Sequence, residues 1–253
     1  MTNVERLEQF WHDLVLTFPE TAQIKGAVAC HVPGMPVPIF NHAASVSLNG
    51  DEVEDFFKTV IKYFSSKKLP FACFRVSPLT RPTSFSSFLE EHGFKKEEEQ
   101  SIMVFKGKPP EDKPNPDVKI KEISKDEIDT FDKLLVTIFE MPTEWKKVID
   151  RLLPIWIQKG ARNYMAYVKR KPVGITTLFS SMKTGGIFNV GTLKKYRRHG
   201  IATALTLKAL LDSVKKENDL HTLQTVKGGN AERLYQQIGF KTDHTITFFL
   251  RKL

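Results

Sequence analysis

The sequence predicts a mixed α/β protein, with helices flanking a mixed central sheet. Two observations carry this prediction. Apolar residues recur at helical spacing in several stretches of both halves, and short apolar runs typical of strands lie between them. In the second half, the order is helices, a three-strand meander and then strand–helix–strand, which favours a mixed α/β sheet.

A proline-rich stretch divides the chain into two parts. Residues 106–117 contain four prolines and no apolar side chain, so they can continue neither a helix nor an inner strand. The 253 residues are enough for two domains of about 125 residues each. We therefore predict a first domain over residues 1–108, a linker over 109–117 and a second domain over 118–253.

Hydrophobic periodicity and turn residues predict the elements of each half. In the first half we predict helices around residues 4–18, 52–65 and 84–91, and strands over 71–76 and 101–105. In the second half we predict strands over 118–123, 164–168, 173–179, 186–192, 222–226 and 243–250, and helices over 125–139, 145–158, 200–216 and 231–238.

The two halves resemble each other at one place. Residues 88–94 (FLEEHGF) match residues 234–240 (LYQQIGF), and their glycines, Gly93 and Gly239, stand 146 residues apart. Each stretch predicts a short helix, a glycine suited to a left-handed cap and a buried Phe that leads into a strand. Together with the similar order of elements around it, this match indicates a duplicated fold.

The charge is distributed unevenly. Residues 1–116 carry 13 Lys and Arg against 15 Asp and Glu, whereas residues 117–253 carry 25 against 14. A second half this basic favours an anionic partner such as a polyphosphate, a nucleic acid or an acidic surface. The two cysteines, Cys30 and Cys73, form no disulfide framework and fit a reducing cytoplasm. No apolar run approaches the roughly 20 residues of a membrane span, so we expect no membrane association.

The most informative segment is residues 189–203, NVGTLKKYRRHGIAT. It ends a predicted strand, crosses a basic loop and enters a predicted helix. A helix N-terminus offers unpaired backbone N–H groups and the positive end of a dipole, a combination that suits a pyrophosphate. Gly200 would let the backbone approach such a ligand closely. From the residues alone, a solvated basic turn capped by glycine is the alternative.

This segment resembles the GNAT (GCN5-related N-acetyltransferase) superfamily. Residues 197–202 fit the R-x-x-G-x-G/A pyrophosphate loop of that family, and residues 230–240 are similar to its N-x-x-A/R-x-L-Y-x-x-x-G-F segment. The resemblance covers residues 118–253 and implies a GNAT fold and an acetyl-CoA-dependent N-acetyltransferase. Lys194 and Lys195 depart from the family pattern, which often has Pro-Glu there, and two more cations should help to bind phosphates.

The resemblance also implies roles for individual residues. Tyr235 would act as the general acid that protonates the departing thiolate. The acetyl-CoA contacts would come from Val190, Gly191, Thr192, Arg197, Arg198, His199, Gly200, Ile201, Ala202, Thr203, Asn230 and Arg233. For Asn230 an ordinary N-cap, for Arg233 an exposed helix residue and for Tyr235 a half-buried helix aromatic remain alternatives. No metal is implied.

The general base is less well defined. An acceptor amine is mostly protonated at neutral pH and must lose a proton before it attacks. Glu140 is our first candidate, and Glu144 and His244 are others. Each is more often a surface residue than a base, and ordered waters could do the same work.

The first half is expected to be a degenerate copy without a cofactor site. The 146-residue offset aligns the basic loop with residues 51–56 (DEVEDF), whose four carboxylates would repel a pyrophosphate. The same offset aligns Tyr235 with Leu89, which cannot donate a proton. The tandem arrangement resembles that of GNAT proteins with a degenerate N-terminal half. An α/β domain unrelated to the second half is the alternative.

We therefore expect an enzyme that moves acetyl from acetyl-CoA to a primary amine of an unidentified small molecule or peptide. A coenzyme A-binding sensor without transferase activity is the alternative. Nucleic-acid binding through residues 169–171 and 194–198 is a third hypothesis, but no aromatic platform interleaves with these cations, so we expect no nucleic-acid partner. We expect a monomer or a homodimer.

Overall fold

The computed structural model describes residues 1–107, 109 and 117–253. Its helices are α1 (Asn3–Val15), α2 (Val53–Ser66), α3 (Phe85–Glu91), α4 (Ile128–Ile138), α5 (Lys146–Gln158), α6 (Ile201–Lys215) and α7 (Asn230–Ile238). Its strands are β1 (Glu20–Ile24), β2 (Ala27–His31), β3 (His42–Ala44), β4 (Phe71–Val76), β5 (Lys95–Phe105), β6 (Val118–Glu122), β7 (Arg162–Val168), β8 (Lys171–Ser181), β9 (Thr184–Thr192), β10 (Leu220–Val226) and β11 (Phe240–Lys252).

The chain divides into two compact units. Unit 1 comprises Met1–Ile102 and Thr242–Leu253, and unit 2 comprises Met103–Lys241. These boundaries differ from the predicted domains 1–108 and 118–253, because strand pairing decides them rather than chain continuity. The last strand, β11, pairs antiparallel with β4 from Thr247↔Val76 to Lys252↔Phe71, which makes its end part of unit 1. The predicted linker, except for Pro109 and Asp117, lies outside the described residues.

Unit 1 contains a mixed sheet with helices packed on it. Its strand order includes β1-β2-β3-β4-β11, in which β3 and β4 are parallel and the other neighbours are antiparallel. Many of the phenylalanines meet in its core, where Phe57 stacks on Phe74 with ring centroids 6.3 Å apart. The sequence prediction missed β1, β2 and β3, which are short, and started β5 six residues late.

Unit 2 contains the strand order β10-β9-β8-β7-β6. The β9–β10 pair is parallel, and the other neighbours are antiparallel. Two glycines reveal how closely helices pack on opposite faces of this sheet. A Cβ at Gly174 would lie 3.0 Å from Leu205 of α6, and one at Gly191 would lie 2.4 Å from Ile138 of α4. The predicted elements of this half all form, with ends that differ by a few residues.

The matched stretches of the two halves fold alike. Helix α3 is followed by Gly93 with φ of 80° and then by β5, and α7 is followed by Gly239 with φ of 111° and then by β11. Both glycines take the left-handed conformation that ends a helix, as their positions in the sequence predict.

Candidate cofactor site

The candidate site is built around an irregularity in β9. The β8–β9 register shifts between Ile175, which pairs with Gly191, and Thr177, which pairs with Phe188. Strand β9 therefore carries one residue more than β8 at this point, which defines a β-bulge. Asn189 lies in the bulge with φ of 54°, a left-handed conformation that Asn adopts more readily than most residues.

The bulge lies where β9 leaves its other neighbour. Parallel pairing with β10 runs from Thr184↔Leu220 to Ile187↔Leu223 and goes no further among the described residues. The Leu193 N–H donates to the Val173 carbonyl of β8 at 2.9 Å. Because backbone groups alternate between the two edges of a strand, Val190 and Thr192 direct theirs away from β8, toward the edge that β10 has left. An amide-bearing chain could bond to β9 there as an added strand would.

Thr192 and Gly191 have further roles in this strand. The Thr192 carbonyl accepts a hydrogen bond from Arg197 Nε at 3.1 Å, so the Val190 backbone is the more available of the two. The Thr192 hydroxyl is buried and has no hydrogen-bond partner in the described part of the chain. Gly191 is needed because any side chain would collide with Ile138 at the end of α4.

The basic loop leads into an uncapped helix. Gly200 is the N-cap of α6 with φ of 73°, and no side chain of the described residues caps the helix. The first turn, Ile201 to Thr203, has backbone N–H groups that the helix itself cannot use. A Cβ at Gly200 would meet no atom within 4 Å, so the helix end is open to a ligand. These features fit an anion such as a pyrophosphate.

Cationic side chains lie in the loop that precedes this helix end. Lys194, Lys195, Arg197 and Arg198 are exposed, and His199 Nδ1–H donates to the Arg197 carbonyl at 2.7 Å, which fixes the shape of the loop. Arg198 has φ of 67°, like its neighbour Gly200 a left-handed conformation. The charge and the free N–H groups therefore act at the same place.

Tyr235 of α7 is buried in the apolar cluster against which Val190 also packs. Its ring meets Phe240 edge-on with centroids 6.1 Å apart. Burial raises the pKa of Tyr235 to about 12, so the hydroxyl stays protonated at neutral pH. Such a hydroxyl can donate a proton but cannot act as a base at pH 7.

Asn230 and Arg233 bond to each other at the start of α7, where Arg233 Nη2 donates to Asn230 Oδ1. Asn230 is not the N-cap, which removes the alternative that the sequence left open. Gly229 occupies that position, and Glu232 Oε2 accepts from the Gly228 N–H at 2.5 Å. Asn230 and Arg233 are both exposed and available to a ligand.

The three candidate bases differ in environment. Glu140 forms an ion pair with Lys194 at 2.7 Å, and this hydrogen bond lowers the pKa of Glu140, which makes it a weaker base. Glu144 lies exposed in a 3₁₀ turn, Thr143–Trp145. His244 belongs to unit 1, where its ring nitrogens bond to Asp243 at 2.9 Å and to Glu8 at 3.2 Å. Since both nitrogens are engaged, His244 has none free to accept a proton from an amine.

Residues 159–242 match the family model described as "Acetyltransferase (GNAT) domain". The chain contains a GNAT domain. The matched range includes the bulge of β9, the basic loop and α7, and it supports an acyl-transfer function.

Solved structures show that the GNAT fold extends over nearly the whole chain. A GCN5-related N-acetyltransferase from Kribbella flavida has a TM-score of 0.76 and 15% identity, over 98% of this chain and 95% of that chain. A functionally unknown conserved protein from Staphylococcus epidermidis has a TM-score of 0.70 and 15% identity, over 96% of this chain and 97% of that chain. A tandem GNAT protein from the clavulanic acid biosynthesis pathway has a TM-score of 0.68 and 13% identity, over 100% of this chain and 88% of that chain. At these identities the likeness shows the fold alone, and no curated protein matches the sequence.

No helix within the described ranges is long and apolar enough to cross a membrane. No group of three or more His, Cys, Asp or Glu side chains in residues 1–107, 109 and 117–253 is arranged to hold a metal ion.

Proposed function

We propose that the chain is an acetyl-CoA-dependent N-acetyltransferase whose cofactor lies along the open edge of β9. One observation carries the proposal. The Val190 backbone beyond the β10 pairing, the uncapped N-terminus of α6 and the basic loop lie on one continuous stretch of chain, residues 189–203. Backbone groups suit the amides of pantetheine, and a helix N-terminus with added cations suits the pyrophosphate.

Transfer would proceed by direct attack of a primary amine on the thioester carbonyl. The nitrogen would form a bond to carbon and release a proton to the base, the carbon–sulfur bond would break, and the sulfur would take the proton of the Tyr235 hydroxyl. Tyr235 would then regain a proton from the protonated base through solvent. The Tyr235 hydroxyl keeps its proton at pH 7, as a general acid must, but the burial that raises its pKa also makes it a weaker acid than an exposed tyrosine. Asn230 and Arg233 would contact the cofactor arm. Glu140 is our candidate base but a weak one, because its ion pair with Lys194 lowers its pKa and must open before it can accept a proton; ordered waters are the alternative.

The substitution Tyr235→Phe separates the enzyme from a coenzyme A sensor. We would measure coenzyme A release from acetyl-CoA over a panel of small amines and peptides, and acetyl-CoA affinity by calorimetry. For an enzyme, Tyr235→Phe should lower kcat by about 10²-fold or more and leave affinity nearly unchanged. If the wild type binds acetyl-CoA but transfers to none of the amines, and the variant behaves identically, the sensor is the better description.

A further inference from the structure

Two consecutive threonines of β8 hold the β9 bulge. The Thr176 hydroxyl donates to the Phe188 carbonyl at 3.2 Å. The Thr177 hydroxyl accepts from Asn189 Nδ2 at 3.1 Å and donates to Asn163 Oδ1 of β7 at 2.6 Å. Thr176 is 0% exposed and Thr177 3%, so water does not compete for these bonds. Phe188, the last paired residue before the bulge, and Asn189 in the bulge are thus both bonded to β8.

The two threonines act from opposite faces of the sheet. Successive side chains of a strand point to opposite faces, so Thr176 bonds to the bulge from the α6 side and Thr177 from the α4 side. Asn189 has a left-handed backbone that costs free energy unless its surroundings hold it. The hydrogen bond from its side chain to Thr177 ties that conformation to β8 and, through Asn163, to β7.

This arrangement fixes the residues that follow the bulge. A slip of one residue would move Val190 into the place of Gly191. Any side chain there would meet Ile138 at 2.4 Å, so packing permits only the observed register. The hydroxyl bonds and this close contact together determine where the Val190 N–H and carbonyl point.

We propose that Thr176 and Thr177 are positioning residues of the cofactor site, which hold the bulge so that the Val190 backbone meets the pantetheine amides. This inference rests on the proposed function. It predicts that the two hydroxyls contribute to acetyl-CoA affinity although neither directs its oxygen to the open edge of β9.

Matched substitutions test this role. Thr177→Val and Thr176→Val each remove a hydroxyl at nearly constant volume, whereas the serine variants keep it. Thr222→Val is the control, because Thr222 of β10 is a buried threonine whose hydroxyl donates to the Met103 carbonyl at 2.9 Å. The measurements are the Kd of acetyl-CoA by calorimetry, the KM and kcat of transfer, and the Tm.

Each valine variant should weaken acetyl-CoA binding about three- to tenfold, in line with one lost hydrogen bond, while kcat changes less than twofold. The serine variants should lie within about twofold of the wild-type Kd. Thr222→Val should lower the Tm without changing the Kd. Asn189→Gly accepts the same φ but lacks the amide, so it should weaken binding like Thr177→Val even if the valine variants fold poorly.

The outcomes distinguish the two proposals. If the wild type binds acetyl-CoA and Thr177→Val, Thr176→Val and Asn189→Gly bind it equally well, the positioning role is wrong and the proposed function stands. The role is also wrong if Thr222→Val weakens binding as much as they do, since the effect is then one of general stability. If the wild type does not bind acetyl-CoA, both proposals fail.

Discussion

Helices α2 of unit 1 and α6 of unit 2 begin in opposite ways. A 3₁₀ turn, Gly50–Glu52, precedes α2, and Asn49 and Glu52 form a capping box in which Glu52 Oε2 accepts from the Asn49 N–H at 3.0 Å. Carboxylates crowd this end. Helix α6 begins after Gly200, which has no side chain to cap the helix, and the loop that precedes Gly200 carries exposed cations.

The same element, a helix N-terminus, can serve stability in one place and ligand binding in another. A capping side chain satisfies the end of its own helix and contributes about 1 kcal/mol to stability. An uncapped end forgoes that contribution and keeps its N–H groups available to an anion. The carboxylates at α2 would repel the same anion. This difference supports our proposal that unit 1 has no cofactor site.

Two buried carboxylates, Glu8 of unit 1 and Asp132 of unit 2, have different surroundings. In unit 1, Glu8 is buried and accepts two hydrogen bonds from Arg75, at 2.6 and 2.9 Å. In unit 2, Asp132 of α4 is fully buried, and neither oxygen has a hydrogen-bond partner among the residues described. Glu8 is thus paired with a cation, whereas Asp132 has another carboxylate, that of Asp150, as its neighbour.

The largest expected effect is that of Glu8→Gln. The substitution removes the negative charge from a buried ion pair and leaves Arg75 uncompensated, so the free energy of unfolding should fall by about 3–5 kcal/mol. Chemical denaturation measures it. Glu54→Gln is the control, because Glu54 and Lys58 form an exposed ion pair at 3.3 Å that contributes at most about 1 kcal/mol. Equal losses in both variants would contradict the pairing argument.

Asp132→Asn should act in the opposite direction. Burial, together with the nearby Asp150 carboxylate, raises the pKa of Asp132 to about 7. The folded state therefore binds a proton that the unfolded state releases near pH 4. The contribution of this proton to the free energy of unfolding is fully present below about pH 4 and is lost as pH rises through about 7. The variant should lack that pH-dependent loss and be more stable than the wild type at pH 8. A variant less stable than the wild type at pH 8 would contradict this account, because it would mean that the charged Asp132 carboxylate stabilises the folded state.

Asn49→Ala should break the capping box of the 3₁₀ turn that leads into α2. We expect a loss of about 1 kcal/mol in the free energy of unfolding and no change in acetyl-CoA affinity, because this helix end binds no ligand. Denaturation and calorimetry on the same preparation measure both quantities. A weaker affinity in Asn49→Ala would mean that the α2 end takes part in binding after all.

Glu140→Gln should have the smallest effect. Since Lys194 holds the pKa of Glu140 below its ordinary value, the carboxylate is a poor base, and we expect kcat/KM to fall by less than about threefold. Steady-state transfer assays from pH 6 to 9 measure it, with Glu144→Gln alongside. A fall of about 100-fold that diminishes at high pH would identify Glu140 as the base.

The sequence predicted most of the GNAT domain because its signals are local. The basic loop, Gly200 and the helix after it are recognisable from residue types that follow one another in the chain. Gly93 and Gly239 were predicted to adopt left-handed caps, and both do.

What the sequence could not predict depends on contacts between distant residues. The pairing of β11 with β4 joins residues about 175 positions apart, and no local pattern encodes it. The bulge at Asn189 arises from a mismatch in length between two strands. The signal that the sequence offered for the bulge was Asn189 within one predicted strand and two consecutive threonines, Thr176 and Thr177, in the strand before it. Strands β1 to β3 were missed because they are short, and β2 is built largely of small residues.

Thermal unfolding with and without acetyl-CoA tests the central claim most directly, on the wild type and on the variants Gly200→Asp and Arg198→Glu. At about 100 times its Kd, the ligand should stabilise the wild type by roughly 2.7 kcal/mol, a shift of several degrees in Tm. The two variants place a carboxylate at the end of α6, as the α2 end already has, and should show no shift. A wild type that does not shift at saturating acetyl-CoA would contradict the account.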